Sequence, residues 1–209
     1  MIWVVIVIVV VIVLLLLWLV AMFNKLVRLR NRAENAWAQV DVQLRKRYDL
    51  IPNLVETVKG YAAHERETFE AVTNARVAAQ QAQGVAQQAQ AENMLTAALG
   101  GLFAVAEAYP QLRATENFQQ LQAQLADVEQ SIAIARQVYN DTVLSYENAL
   151  ETVPTSIIAG WFNFRPREYF QTEDVTREAP RVDFGQGGGT VAPPAPPPAA
   201  PPAAEPPAS

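Results

Sequence analysis

The run Ile2 to Met22 carries no charged residue and is built almost wholly from Val, Ile and Leu. At about 1.5 Å of rise per helical residue, these roughly 21 positions reach about 30 Å, the thickness of a bilayer's hydrocarbon core. A helix apolar on every face for this length would need a larger core than the rest of a 209-residue chain can build around it. It is also too long for the apolar region of a secretory signal, no Lys or Arg precedes it, and no A-x-A-like site follows. The expectation is a retained transmembrane anchor over residues 1–23.

Beyond the run come Lys25, Arg28, Arg30 and Arg32 against Glu34 alone, whereas only the amino group of Met1 stands before it. Cytoplasmic flanks carry the excess of Lys and Arg, so the amino terminus is expected outside and everything after the span in the cytoplasm. Near an anionic leaflet each of these charges contributes about 1 kcal/mol, so the collar suits lipid contact as well as topology.

The remaining length allows one domain of ordinary size. With 16 basic and 21 acidic residues and a formal net charge of −5, the chain is no polycation, and nucleic acid is not an expected partner. Cysteine is absent, which excludes disulfides, thiolate-held metals and a thiol nucleophile, and His64 is the only histidine.

Residues 24–153 are dominated by helix-forming types, and Gly and Pro are confined to Pro52, Gly60, Gly84, Gly100, Gly101 and Pro110. The fold class is therefore all-α: a single anchor helix followed by an antiparallel up-and-down bundle. In its last helix Phe118, Leu121, Leu125, Val128, Ile132, Ala135, Tyr139, Thr142, Tyr146, Ala149 and Val153 alternate steps of three and four. That seam is the pattern of knobs-into-holes packing in coiled coils and bundles, with Thr115 as N-cap, Glu116 near the helix start and Pro154 as the stop. Leu95, Ala98, Leu102, Val105 and Tyr109 form a shorter stripe, and Gly100 with Gly101 inside it points to close approach of a neighbouring helix. Phe69, Val72, Ala75, Ala79 and Ala82 form another, ending in a tight turn near Gly84 to Ala86.

Leu26, Leu29, Ala33, Trp37, Val40, Leu44 and Tyr48 line the first cytoplasmic helix before Pro52 arrives. A proline inside a helix leaves the carbonyl four residues back, that of Tyr48, without its donor and costs about 3 kcal/mol, so a break between Tyr48 and Pro52 is favoured, with four helices in the bundle. Ile51, Val55, Val58 and Ala62 nevertheless keep the apolar phase, and a kinked continuous helix, giving three longer helices, is the alternative.

After Pro154, residues 154–184 crowd Ile157, Ile158, Trp161, Phe162, Phe164, Tyr169 and Phe170 into a short stretch. If the last helix returns to the membrane, Trp161, Phe162 and Phe164 reach the headgroups, where aromatic side chains are favoured; packing on the end of the bundle is the other reading. Residues 185–209, Gly-rich and then mostly Ala and Pro, have too little apolar mass to offset chain entropy and read as disordered.

Candidate chemistry is sparse. His64 with Glu65, Glu67 and Glu70 offers a single imidazole, too little for a zinc site, and Glu107, Asp141 and Glu147 have no nucleophile or base nearby to give them a task. Arg45, Lys46 and Arg47 form a basic cluster that a helix carries about 30 Å from the membrane edge, several Debye lengths away, so it reads as a solvated helix end or a contact for an acidic protein. Trp37, Tyr109, Tyr139 and Tyr146 read as core. Ile134, Val138 and Leu144 flank the seam where one partner helix cannot cover them alone.

Phe23 to Glu65, FNKLVRLRNRAENAWAQVDVQLRKRYDLIPNLVETVKGYAAHE, with LFAVAEAYPQL from Leu102 and YNDTVLSYENALETVPTSIIAGWFNFRPREYF from Tyr139, closely resembles the LemA family. The resemblance implies a single-pass protein of the bacterial inner (cytoplasmic) membrane with an outside amino terminus and a cytoplasmic antiparallel helical bundle. The family has no established enzymatic activity or cofactor, so the resemblance leaves the biochemistry open, and it does not extend to the Pro/Ala tail. The expected function is a membrane-anchored scaffold or adaptor without catalytic activity, self-associating as a homo-oligomer and open to a further membrane-protein partner. The alternative is a lipid-binding or membrane-shaping module using Lys25, Arg28, Arg30 and Arg32 together with Trp161, Phe162 and Phe164.

Overall fold

A computed structural model describes residues 1–171. Six helices follow in chain order: α1 (Ile2–Lys59), α2 (Arg66–Gln81), α3 (Gly84–Ala108), the single turn α4 (Pro110–Arg113), α5 (Glu116–Glu151) and the short α6 (Thr155–Trp161). Among the described residues there is no strand. The expected disorder of residues 185–209 lies outside the described residues.

The apolar run and the first helix of the bundle are one uninterrupted α1. An 18-residue window of it has a mean hydropathy of 3.7, none of the window is buried by the rest of the chain, and the helix is long and apolar enough to cross a membrane. Further along, Leu26, Ala33, Ala36, Val40, Leu44, Tyr48, Ile51, Leu54 and Val58 are buried, so α1 changes from apolar on all faces to one apolar stripe just beyond Phe23.

The expected break at Pro52 does not occur, and the cause lies outside α1. Pro52 cannot donate to the Tyr48 carbonyl, but the Arg76 Nε of α2 donates to it instead at 2.8 Å. A guanidinium from a neighbouring helix replaces the missing backbone donor, so the main penalty of the proline is offset. The chain reverses later, between Gly60 and Glu65, where the Ala62 N–H closes on the Val58 carbonyl at 3.0 Å. The bundle thus has four long helices, as the break reading required, with the first reversal moved from Pro52 to Gly60.

α1 packs mainly on α5. Arg47 meets Glu129, Trp37 meets Tyr139, and Leu26 shares a cluster with Ala149, so the two run antiparallel and α5 descends toward the anchor. The α2–α3 hairpin, turning at Ala82 and Gln83, covers only the half of this pair distal to the anchor, with Ala79, Gln88 and Tyr48 at one level. Nearer the anchor, after a turn at Asn163, residues 164–171 run back up the pair as a strap. Tyr146 donates to the Arg165 carbonyl at 3.1 Å, Tyr139 to the Glu168 carbonyl at 2.8 Å, and Asn140 both donates to and accepts from the Phe170 backbone. Phe170 is buried there against Trp37.

The seam of α5 is buried at Phe118, Leu125, Ile132, Ala135, Tyr139, Tyr146 and Ala149. It departs from expectation at its end: Val143 is buried, whereas Val153, already past the helix terminus, is exposed. Thr115 is the N-cap residue, but its hydroxyl donates back to the Leu112 carbonyl and does not cap an N–H of the helix. Gly100 and Gly101 were expected to admit a close neighbour; a Cβ at either would meet nothing within 4 Å, so the close-packing reading is corrected. Gly100 instead lines an open groove between α3 and α5.

Candidate functional site in a buried charge network and a membrane-proximal collar

The largest departure from the sequence reading is Arg47. Its neighbours Arg45 and Lys46 are exposed, and Arg45 pairs with Asp41 one turn away, as a solvated basic cluster should. Arg47 itself is 1% exposed. The reason is register: Leu44, Arg47, Tyr48, Ile51 and Leu54 all fall on the buried stripe of α1, and Arg47 occupies one of its core positions.

There Arg47 Nη1 donates to Glu92 Oε2 at 2.6 Å and Nη2 to Thr96 Oγ1 at 2.9 Å, both on α3. Its Nε lies 2.7 Å from Glu129 Oε1 on α5, an ion pair without an aligned hydrogen bond. The second Glu92 oxygen accepts from the Tyr48 hydroxyl and, at 3.0 Å, from Gln88 Nε2. One guanidinium therefore joins three helices. Arg136 adds a second cation, its guanidinium 4.3 Å from the centre of the Phe170 ring.

Burial dominates the protonation of these groups. It pushes the Tyr48 hydroxyl well above its ordinary value, with the Glu92 carboxylate acting in the same direction. Burial also raises the Glu129 carboxyl from 4.5, although Arg47 and Arg136 pull it down, and it lowers Arg136 against the pull of Glu92. Breaking such a buried pair by removing one partner is strongly destabilising, because it leaves the other charge buried and uncompensated. The groove of about 430 Å³ beside it, between α3 and α5, has Arg47 and Glu129 in its lining with Leu99, Phe103 and Leu125.

At the other end, the structure brings part of the expected interface together. Phe23 lies 4.8 Å from Phe162 and 5.7 Å from Phe164, centroid to centroid, and the Arg30 guanidinium stands 5.7 Å from the Phe164 ring. Trp161 is exposed beside them. Lys25, Arg28 and Arg32 lie outside the core on α1, Arg28 donating to the Asn24 carbonyl at 3.2 Å. Glu34 pairs with Arg167 of the strap.

His64 and Glu65 fall in the turn before α2, and Glu67 and Glu70 are exposed on α2. Neither they nor any other three such groups come together among the described residues as a metal-holding set. Glu107 and Asp141 are exposed on separate helices.

The magnetosome protein MamQ of Magnetospirillum gryphiswaldense (strain MSR-1) is 24% identical over 178 residues, 73% of this chain and 65% of that protein. The magnetosome proteins MamQ 1 and MamQ 2 of Paramagnetospirillum magneticum (strain AMB-1) are each 23% identical over 179 residues, 73% of this chain and 66% of theirs. The match thus spans just under two thirds of these relatives' length. The family model for LemA matches residues 36–184, more than half of the chain, beginning on the buried stripe of α1. The protein is a membrane-associated, helical member of the LemA family.

Proposed function

We propose that the protein is a non-catalytic, membrane-anchored scaffold that self-associates, with its bundle on the cytoplasmic side. The observation that carries the reading is a shallow, mainly apolar groove on the outer face of the α1–α5 pair, where Val42, Ile134 and Val138 stand with Ala38 and Ala135 beside the polar Gln39, Gln43 and Ser131. Val42 is 50%, Ile134 57% and Val138 43% exposed, and the described residues leave them uncovered. Because α1 is one helix from the span onward, Val42 stands at a fixed distance from Met22, about 30 Å of helix. Two copies inserted the same way in one bilayer present this groove at the same height, the arrangement a two-fold contact needs. Confinement to the membrane raises the concentration at which they meet.

The chain has no cysteine, so Gln39→Cys and Val42→Cys give single reactive sites. Mild oxidation in native membranes should link them into dimers, and Ile134→Glu should suppress the link. A full-length protein that stays monomeric in nanodiscs at every concentration would end the self-association reading. Protease protection in intact cells of a tag after Ser209 supports the cytoplasmic assignment; cleavage there removes it. The lipid-binding alternative rests on different residues and is compatible with the scaffold.

A further inference from the structure

Among the described residues, four large apolar side chains near the anchor end are left uncovered: Val153 at 71% exposure, Ile157 at 51%, Trp161 at 73% and Phe162 at 51%. The segment's other face is fully engaged. Thr155, Ile158 and Ala159 are buried, the last two in a cluster with Leu26 and Ala149. α6 is therefore a short amphipathic piece whose inward face is satisfied and whose outward face, Ile157 with Trp161 one turn on, is not.

What adjoins that outward face is fixed by the chain. Phe162 and Phe164 rest on Phe23, the residue next after the apolar run, and Leu19 and Met22 within the run pack against the same cluster as Ile158 and Ala159. α6 thus sits at the depth where the run ends. Beside Phe164, Arg30 and Arg165 line a recess of about 320 Å³, and among the described residues neither forms an ion pair. The Tyr146 hydroxyl, donating to the Arg165 carbonyl at 3.1 Å, holds that turn against α5.

We propose that α6 is a foot seated in the headgroup layer of the bilayer that α1 crosses, with Ile157, Trp161 and Phe162 at the acyl boundary and Arg30 and Arg165 on lipid phosphates. Aromatic rings favour that layer, and arginine can lay its stem on apolar surface while its head reaches phosphate. The proposal rests on reading α1 as a span. It goes beyond a tether, because a lone helix can rotate about its own axis, whereas a second contact off that axis fixes which way the bundle faces.

The test uses full-length protein with single spin labels, in nanodiscs of phosphatidylcholine and phosphatidylglycerol in equal parts. Ile157→Cys and Trp161→Cys report the foot, Ile12→Cys the span, and Arg113→Cys the water-exposed far end. All four positions are largely exposed, so each substitution leaves the packing intact. Collisions with oxygen and with a water-soluble nickel complex are compared. The foot predicts an oxygen-to-nickel ratio at 157 and 161 several-fold above that at 113. A nickel-accessible 157 and 161 with a lipid-like 12 overturns the foot and leaves the span standing. Low access to both reagents at 157 and 161 means that protein covers them, and also overturns it. A nickel-accessible 12 overturns the span itself, and the foot with it.

Discussion

The two halves of the α1–α5 pair are closed by different means. The distal half is covered by a helical hairpin, whose own backbone is already hydrogen-bonded, and the contact between them is made by side chains: Arg47 against Glu92 and Thr96, with Tyr48 and Gln88 completing the set. The half near the anchor is covered by a non-helical strap, whose backbone groups have no partners of their own. There Tyr139, Asn140 and Tyr146 of α5 supply bonds to the strap's main chain, and Phe170 supplies the apolar plug. A helical cover can be specified by charge, but a non-helical one must first have its backbone satisfied.

The two halves should therefore respond unequally to truncation. Glu92→Ala leaves Arg47 buried without its main partner and should cost about 3–5 kcal/mol, read as a drop in the unfolding midpoint of the full-length protein. Adding Arg47→Met should recover part of that loss, because the buried cation is gone, although Glu129 then loses its partner. Phe170→Ala should cost less than the same truncation in a closed core, about 3–5 kcal/mol, because the strap can detach while the helices stay paired. Hydrogen exchange should then rise in residues 164–171 and not in α3. Equal, global losses from Glu92→Ala and Phe170→Ala would erase the distinction.

A smaller effect tests the crossing from α1 to α2. Arg76→Ala leaves the Tyr48 carbonyl without a donor and should cost about 1–3 kcal/mol. In a Pro52→Ala background α1 can supply the N–H itself, so the cost of Arg76→Ala should shrink. A double-mutant cycle with no coupling would show that Arg76 does not stand in for the backbone.

The smallest effect concerns pH. The folded state holds the Glu129 carboxyl above its ordinary value of 4.5, so it binds a proton more tightly than the unfolded chain does. This contribution to stability is present below 4.5 and is lost as pH rises through the folded value. Glu129→Gln should flatten that decline in a stability-versus-pH profile, modestly, since the side chain is 41% exposed. A slope unchanged by the substitution would assign it to other groups.

Much of the fold was legible because it is periodic. The apolar run, the three-four seam of α5 and the stripe of α1 each repeat often enough for single exceptions not to matter. Arg47 was missed because it was grouped with Arg45 and Lys46 by adjacency, although its step of three from Leu44 and four to Ile51 placed it on the stripe. Glu92, three residues before Leu95 and seven before Leu99, carried the matching signal on α3. The continuity at Pro52 was not legible locally, since its cause, Arg76, belongs to another helix. Trp161, Phe162 and Phe164 were singled out by composition alone; the contact of Phe162 and Phe164 with Phe23, on the bundle's first helix, had no periodic signal to reveal it.

An unbroken α1 also makes the molecule a lever. From Met22 to Lys59 the helix extends for about 55 Å without a joint, and the donor from Arg76 stiffens the one place where a joint was due. A span in a bilayer of changed thickness adapts by tilting, and a change in tilt of about 10° would carry the far end of α1 sideways by about 10 Å. If α1 crosses the bilayer, the distal hairpin travels with it, and a small mechanical property of the lipid becomes a displacement as large as the diameter of a helix.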